Sequence, residues 1–383
     1  MNIALVIFHA DPSRGGAERY TVDLARSLAR LGHEVTLLAS AFADVPEGVK
    51  AVALDTDAMG RTARYVRFLD SLDLHLAGRR YDIVHAMLPV RQCDVYHPHA
   101  GIAAESMRAG HLRHRDPVRR VLAMVGTKLN RKRRRFAWVE RRLLNSESPP
   151  VVLCLSDYVR SAVRRHYALP DGRLFPLFNG VDLDRFDPEK AAPRVAAMRA
   201  RWNLAAGRVA ALLMAQDFER KGLAQAIQAL RSLDGTVSLV VVGRDRTGPY
   251  RKLAQDLGVG PRVVFAGASD DPAACYAAAD FFVLPTRHDP CSLVVLEALA
   301  MGLPVISTAQ NGACEIMTRG REGFVLDDPG DVAALAGAMK AMLDAERRRE
   351  MSRACLALRP KLSQEAHVRR LLQAYRQAAH VHP

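Results

Sequence analysis

Residues 281–308 read Phe281-Phe282-Val283-Leu284-Pro285-Thr286-Arg287-His288-Asp289-Pro290-Cys291-Ser292-Leu293-Val294-Val295-Leu296-Glu297-Ala298-Leu299-Ala300-Met301-Gly302-Leu303-Pro304-Val305-Ile306-Ser307-Thr308. A short apolar run opens the stretch, a polar turn follows, and then comes a segment of helical length. Gly302 and Pro304 break that segment just before a second apolar run. Short unbroken apolar runs suit strands buried on both faces, and a helix between two of them is the crossover of a parallel pair.

The same alternation extends in both directions. One series of apolar runs lies at 3–8, 34–39, 82–87, 94–97 and 151–156, with a helix expected over 21–31 that Gly32 closes. A second series lies at 209–215, 237–243, 263–267, 281–285 and 305–308. Between them, residues 170–193 collect Pro, Gly, Asn and Asp, as a linker does. The expected organisation is a domain over 1–179, a second over 180–363 with the boundary near Gly180, and a last helix over 364–383. That helix carries Val368, Leu371, Leu372 and Tyr375 at helical spacing and is expected to pack back on the first domain. The fold class is α/β, with two Rossmann-like doubly wound domains facing across a cleft. Ligands of such sheets bind beyond the carboxyl ends of the strands.

Composition narrows the function classes. A chain of 383 residues with 49% hydrophobic side chains builds real cores, which excludes wholesale disorder. It has no apolar run of about 18 residues, and Met1-Asn2-Ile3 does not open a secretory signal. Six scattered cysteines without a Cys-x-x-Cys pair predict neither a zinc cluster nor a disulfide framework, so a reducing, cytoplasmic setting is expected. The 55 basic against 41 acidic side chains give a net charge of +14, most of it concentrated in one place. Between Arg108 and Arg142 lie 13 Lys or Arg against Asp116 and Glu140 alone.

Several groups carry chemistry. Gly15-Gly16 sits where a strand turns into a helix, so backbone N–H groups and the helix N-terminus can meet a phosphate; a plain turn uses the same residues. The pattern is neither Gly-x-Gly-x-x-Gly nor a Walker loop. Asp289 precedes the helix of the opening stretch and Glu297 lies two turns inside it. Carboxylates there can accept bonds from sugar hydroxyls, and N–H groups around Ser292 and Leu293 can receive a phosphate. The bland alternative is an N-cap Asp and a surface Glu. In His97-Pro98-His99, His99 is a candidate to orient an acceptor hydroxyl or shuttle a proton, because imidazole titrates near neutrality. Without a third ligand the pair does not argue for a metal.

The residues from Asp289 to Glu297 resemble the E-x7-E block of glycosyltransferase family 4, retaining enzymes of the GT-B fold that use nucleotide sugars, and the similarity runs along essentially the whole chain. Gly15-Gly16 resembles that family's glycine pair beside the donor diphosphate. Asn179-Gly180-Val181-Asp182 is similar to its inter-domain motif, and Arg220-Lys221-Gly222 to its basic phosphate clamp. Residues 257–267 resemble the strand that meets the nucleobase, and 311–316 the family's Gly-Gly-x-x-Glu-Ile turn. Within the family the resemblance is to the lipopolysaccharide core glucosyltransferases of type I, through Asp217-Phe218, Asp94-Val95-Tyr96 and the basic segment that follows. Two departures stand out. Asp289 occupies a position that is usually Glu, and Cys291-Ser292 replaces the usual Phe-Gly.

The resemblance implies roles. Lys221 and Arg220 would neutralise the departing diphosphate, aided by the Gly15 and Gly16 amides and by Arg185. Glu297 would hold the ribose, Asp289 the donor sugar, and Val264 the base, with Ser292 and Leu293 at the helix start. No metal is implied, and the donor is UDP-glucose. The acceptor is a glycolipid or lipopolysaccharide core sugar.

Arg131-Lys132-Arg133-Arg134-Arg135-Phe136-Ala137-Trp138 follows an apolar patch, a combination that suits contact with an anionic membrane surface at the cytoplasmic face. An arginine run also suits nucleic acid, but no recognised module or stacking pattern accompanies it, so nucleic acid is not an expected partner. A solvated charged helix with no partner is the remaining reading. For the chain as a whole the rivals are a non-catalytic nucleotide-sugar-binding protein, a basic nucleic-acid-binding protein and a pyridoxal-phosphate glycan phosphorylase on the same fold.

Overall fold

The structure is a computed structural model that describes residues 1–112 and 131–379. The chain forms two compact units. One comprises Met1–Phe178 with the chain from His367 on, and the other Asn179–Ala366.

In the first unit, among the described residues, seven strands form one wholly parallel sheet. They are β1 (Asn2–Val6), β2 (Glu34–Ala39), β3 (Val49–Ala53), β4 (Ile83–Ala86), β5 (Val95–Tyr96), β6 (Val151–Cys154) and β7 (Leu174–Pro176), in the order β3-β2-β1-β4-β5-β6-β7. β1 pairs with β2 from Asn2 opposite Glu34 to Val6 opposite Leu38, and on its other side with β4 from Ile3 opposite Ile83. Helix α1 (Gly16–Arg30) buries Tyr20, Thr21, Leu24, Ala25 and Leu28, a stripe three and four residues apart that faces the sheet. Gly32, at φ 80°, ends it.

A core of Ala4, Val6, Leu38, Tyr65, Phe68, Leu72 and Ala86 fills one side of this sheet. Helix α2 (Arg131–Leu144) is tied into it by Val139 and by Phe136, whose ring stacks on Tyr65 at 4.1 Å. The buried Glu140 carboxylate accepts from Tyr96 Oη (2.7 Å), Tyr167 Oη (2.9 Å) and the Ala103 N–H (2.8 Å). Burial raises its pKa against these donors. One face of a strongly basic helix is thereby fixed to the unit.

The second unit holds a six-stranded parallel sheet, again among the described residues. Its strands are β8 (Val209–Met214), β9 (Val237–Val242), β10 (Val263–Gly267), β11 (Phe281–Val283), β12 (Val305–Thr308) and β13 (Gly323–Leu326), in the order β10-β9-β8-β11-β12-β13. Val-Ser-Leu-Val-Val-Val in β9 is buried throughout, as a strand covered on both faces must be. Helices α3 (Leu223–Leu230), α4 (Pro272–Ala278) and α5 (Leu293–Ala300) follow β8, β10 and β11. Helix α6 (Gln364–Ala379) gives its residues from His367 on to the first unit.

The α/β architecture of two doubly wound parallel sheets agrees with the sequence reading. Three strands were not anticipated: β3, β13, and β7, which lies inside the stretch read as linker. In both sheets the chain reverses its direction of strand addition, between β1 and β4 in the first and between β8 and β11 in the second. Loops after these four strands part to opposite faces there, which opens a crevice for a ligand.

Candidate active site

In the second unit the residues that the sequence placed in the basic clamp and in the acidic block converge on that crevice. After β8 the chain turns through 217–222, where Asp217 accepts from the Arg220 N–H (3.1 Å) and Nε (3.0 Å). After β11 the turn 284–292 closes over it. The Arg220 carbonyl accepts from the Arg287 N–H (3.0 Å) and Thr286 Oγ1 (3.2 Å), and the Arg220 guanidinium donates to the His288 carbonyl (2.9 Å). Gly222 adopts φ 79°, and a Cβ there would drive into the Pro285 carbonyl, so only glycine lets the two turns meet.

The result is a buried ion pair. Lys221 Nζ donates to Asp289 Oδ2, with the residues 9% and 6% exposed. Burial alone would push the Asp289 carboxyl up, but Lys221, Arg220 and the Ser292 hydroxyl outweigh it and hold the group below the usual carboxylate range. Burial also lowers the Lys221 ammonium, and Asp289 opposes that shift. A cation kept poor in water beside the crevice is suited to receive a phosphate.

The Asp289 turn is braced by the loop after β12. The Asp289 N–H donates to the Gln310 carbonyl (2.9 Å) and the Gly312 N–H to the Asp289 carbonyl (3.0 Å), one extra rung of parallel pairing. The expectation that the Ser292 N–H is open to a phosphate is corrected, because it donates to Asn311 Oδ1 (3.2 Å). Leu293 and Val294 start α5, and first-turn N–H groups of a helix point out of its end, so the open position moves to them.

Glu297 lies on α5, where Tyr276 Oη on α4 donates to its Oε2 (2.8 Å). Burial and then the neighbouring carboxylate push the Tyr276 phenol well up, so it stays a donor. The Arg185 guanidinium lies over the Phe186 ring at 5.3 Å, and that ring meets Tyr276 edge-on at 6.0 Å. Arg185 is thereby brought to the neighbourhood of Glu297. Val264 lies on β10 opposite Val240, two strands from β8, which leads into the Lys221 turn.

In the first unit, Gly15 is the residue before α1 and Gly16 its first, at the carboxyl side of β1. Gly15 is extended, at φ 176° and ψ −179°. His99 follows β5 and belongs to a cluster that the sequence did not reveal. The rings of Tyr20 and His99 lie 4.2 Å apart and those of His97 and His99 4.4 Å apart. Tyr20 Oη meets His367 Nε2 at 2.7 Å, His85 meets Tyr375 Oη at 2.7 Å, and His85 meets His97 at 3.2 Å. Burial, then neighbouring imidazoles, pull His85 and His99 down to about 3, and burial pulls His367 to about 4. The expectation that His99 titrates near neutrality is therefore corrected: it is a neutral ring whose Nε2 is sealed from solvent and has no hydrogen-bond partner among the described residues.

Sequence reasoning also missed Tyr276 and Asn311. Neither stands at a telling interval from the motifs, and the one available signal is that an asparagine opens the 311–316 turn. Of the basic segment, 113–130 lies outside the described residues. In its described part, Trp138 is exposed at 44%, with Arg135 and Arg142 over its ring at 4.6 and 5.1 Å.

Residues 14–185 match the family described as Glycosyltransferase Family 4, and residues 209–345 the one described as Glycosyl transferases group 1. The chain is 26% identical over 323 residues, 82% of each chain, to lipopolysaccharide glucosyltransferase WaaG of Escherichia coli (strain K12). It is 30% identical over 357 residues, 88% of each chain, to the GDP-mannose-dependent alpha-(1-6)-phosphatidylinositol monomannoside mannosyltransferase of Mycolicibacterium smegmatis. A crystal structure of WaaG, a glycosyltransferase involved in lipopolysaccharide biosynthesis, has the same fold, with a TM-score of 0.82 at 23% identity over 97% of this chain and 98% of that one.

Proposed function

The chain belongs to glycosyltransferase family 4 and has its GT-B fold, and on that premise we propose that it is a retaining hexosyltransferase that moves glucose from UDP-glucose to a glycolipid acceptor of the lipopolysaccharide core kind. The observation that carries this is the buried Lys221–Asp289 pair at the reversal point of the second sheet, with the Arg220 guanidinium beside it. A departing diphosphate gains negative charge, and cations fixed in a dry site offset that charge without reorganising. Lys221 passes to the diphosphate, and Asp289 then accepts from the sugar hydroxyls.

Glu297, oriented by Tyr276, takes the ribose hydroxyls, the Leu293 end of α5 faces phosphate, and the backbone at Val264 meets uracil. Arg185 and the amides at Gly15 and Gly16 are further phosphate ligands. The acceptor hydroxyl attacks the anomeric carbon on the face that the diphosphate leaves. The bond to phosphate breaks as the glycosidic bond forms, and the hydroxyl proton goes to the departing phosphate oxygen. Neutral His99 orients an acceptor hydroxyl without shuttling its proton. Two cationic side chains supply the charge that a metal would bring, so none is needed.

The relatives named for lipopolysaccharide and for phosphatidylinositol monomannoside favour a lipid-linked acceptor. Helix α2 supports work at an anionic membrane surface: Val139, Leu143 and Leu144 are buried, while Arg131, Arg133, Arg134, Trp138, Arg141 and Arg142 face outward. We place the enzyme at the cytoplasmic face of the membrane on that basis.

Calorimetric titration with UDP-glucose and with GDP-mannose tests the donor, using wild type and Glu297→Ala. Saturable UDP-glucose binding that weakens at least about tenfold in the variant is expected. Binding of GDP-mannose alone would contradict the donor, and binding of neither would contradict the activity.

A further inference from the structure

The peptide group between Cys291 and Ser292 is gripped on both edges by side-chain amides. Asn179 Nδ2 donates to the Cys291 carbonyl (3.2 Å), and Asn311 Oδ1 accepts the Ser292 N–H (3.2 Å). Both asparagines are almost wholly buried, at 2% and 1% exposure. Asn311 is itself fixed: its Oδ1 also takes the Ala313 N–H (3.2 Å), and its Nδ2 donates to Ser307 Oγ (3.1 Å), whose hydroxyl donates to the Leu284 carbonyl (2.7 Å). The chain from the end of β11 to the end of β12 is thereby cross-tied around one peptide plane, two residues beyond Asp289.

We propose that Asn179 and Asn311 form an amide clamp that positions the Asp289 turn for the donor sugar, and that they are specificity-determining positioning residues of this enzyme. The inference rests on the nucleotide-sugar reading above. A peptide plane with its carbonyl and N–H both tied cannot rotate without breaking a buried bond, so the angle at which the turn presents Asp289 and enters α5 is set by these two side chains. The rest of the donor is held elsewhere, the diphosphate by Arg220 and Lys221 and the ribose by Glu297. Loosening the clamp therefore weakens recognition of the sugar and spares recognition of the nucleotide.

The test compares affinities for UDP and UDP-glucose in wild type, Asn311→Ala, Asn179→Ala and Asn311→Asp. In each alanine variant the UDP affinity should stay within about threefold of wild type, while UDP-glucose affinity falls about tenfold and kcat with it. Asn311→Asp keeps the oxygen that accepts from Ser292 and Ala313 and should restore most of the loss. Ser307→Ala, which removes the Asn311 Nδ2 partner alone, should shift the ratio the same way by less, and it decides the matter if the larger truncations do not fold. A merely structural role would lower both affinities together with Tm, and an unchanged UDP-glucose to UDP ratio would overturn the clamp. If wild type binds the guanosine series instead, the same ratio is read with GDP and GDP-mannose. Wild type that binds no nucleotide sugar would sink the donor reading and the clamp with it, whereas a binding wild type with unaltered variants would sink the clamp alone.

Discussion

At the scale of single residues, the site turns on two charges 68 positions apart in the chain that meet in the folded unit. Breaking such a buried pair from one side leaves the other charge without compensation, which typically costs about 3–5 kcal/mol, whereas removing both costs less. Lys221→Ala is thus expected to lower the urea midpoint well below that of Lys221→Ala combined with Asp289→Asn, and to abolish turnover in either background. Equal midpoints for the single and double variants would show that the pair is not coupled. Asp289 was legible as an acid before a helix, and Lys221 through the resemblance of Arg220-Lys221-Gly222 to the family's phosphate clamp. The groups that aim them were not. Tyr276, Asn179 and Asn311 act through hydrogen bonds to backbone or to a carboxylate; Tyr276 lies in an ordinary helix, and the family-like motifs around Asn179 and Asn311 did not say which backbone groups these side chains hold.

At the scale of elements, strands buried on both faces announced themselves and edge strands did not. β8 is a continuous apolar run and β9 is interrupted by Ser238 alone, whereas β3 and β7 form the two edges of the first sheet and β13 one edge of the second. β3 reads Val-Lys-Ala-Val-Ala with two half-exposed and three exposed positions, and β7 ends on Pro176, a residue that an edge strand tolerates. β10 is also an edge and was legible, since its Val263-Val264-Phe265 core is strongly strand-forming.

Helix α2 carries a prediction of its own. Its inner face is anchored by Val139 and Glu140, so its basic face and Trp138 are presented without unfolding the unit. The protein should float with vesicles that contain phosphatidylglycerol and not with phosphatidylcholine alone. Arg141→Glu with Arg142→Glu should weaken flotation by at least about tenfold, at roughly 1 kcal/mol for each basic side chain at such a surface. Equal flotation with both lipids, or none with either, would contradict the membrane role.

At the scale of the whole molecule, the histidine cluster links stability to pH. His85, His97, His99 and His367 pack with Tyr20 and Tyr375 in the first unit, drawing on α1, on the β4 and β5 ends and on α6. Their folded pKa values are depressed, to about 3 for His85 and His99 and about 4 for His367, against about 6.5 in an unfolded chain. Above pH 6.5 both states are neutral and nothing is lost. Below it the unfolded chain binds protons that the folded one refuses, so stability falls steadily from pH 6.5 toward the folded values. The urea midpoint should already drop between pH 7 and pH 5.5, before most carboxylates titrate, and a flat profile there would contradict the buried neutral cluster.

The proposed transfer of glucose from UDP-glucose with retention is tested by slow hydrolysis of the donor, without any need to identify the acceptor. Proton NMR follows the anomeric signal of glucose released from UDP-glucose before mutarotation scrambles it. α-Glucose is expected to appear first, with UDP released in equal amount and no signal from Lys221→Ala. First appearance of β-glucose, or release that is undiminished in the variant, would contradict it.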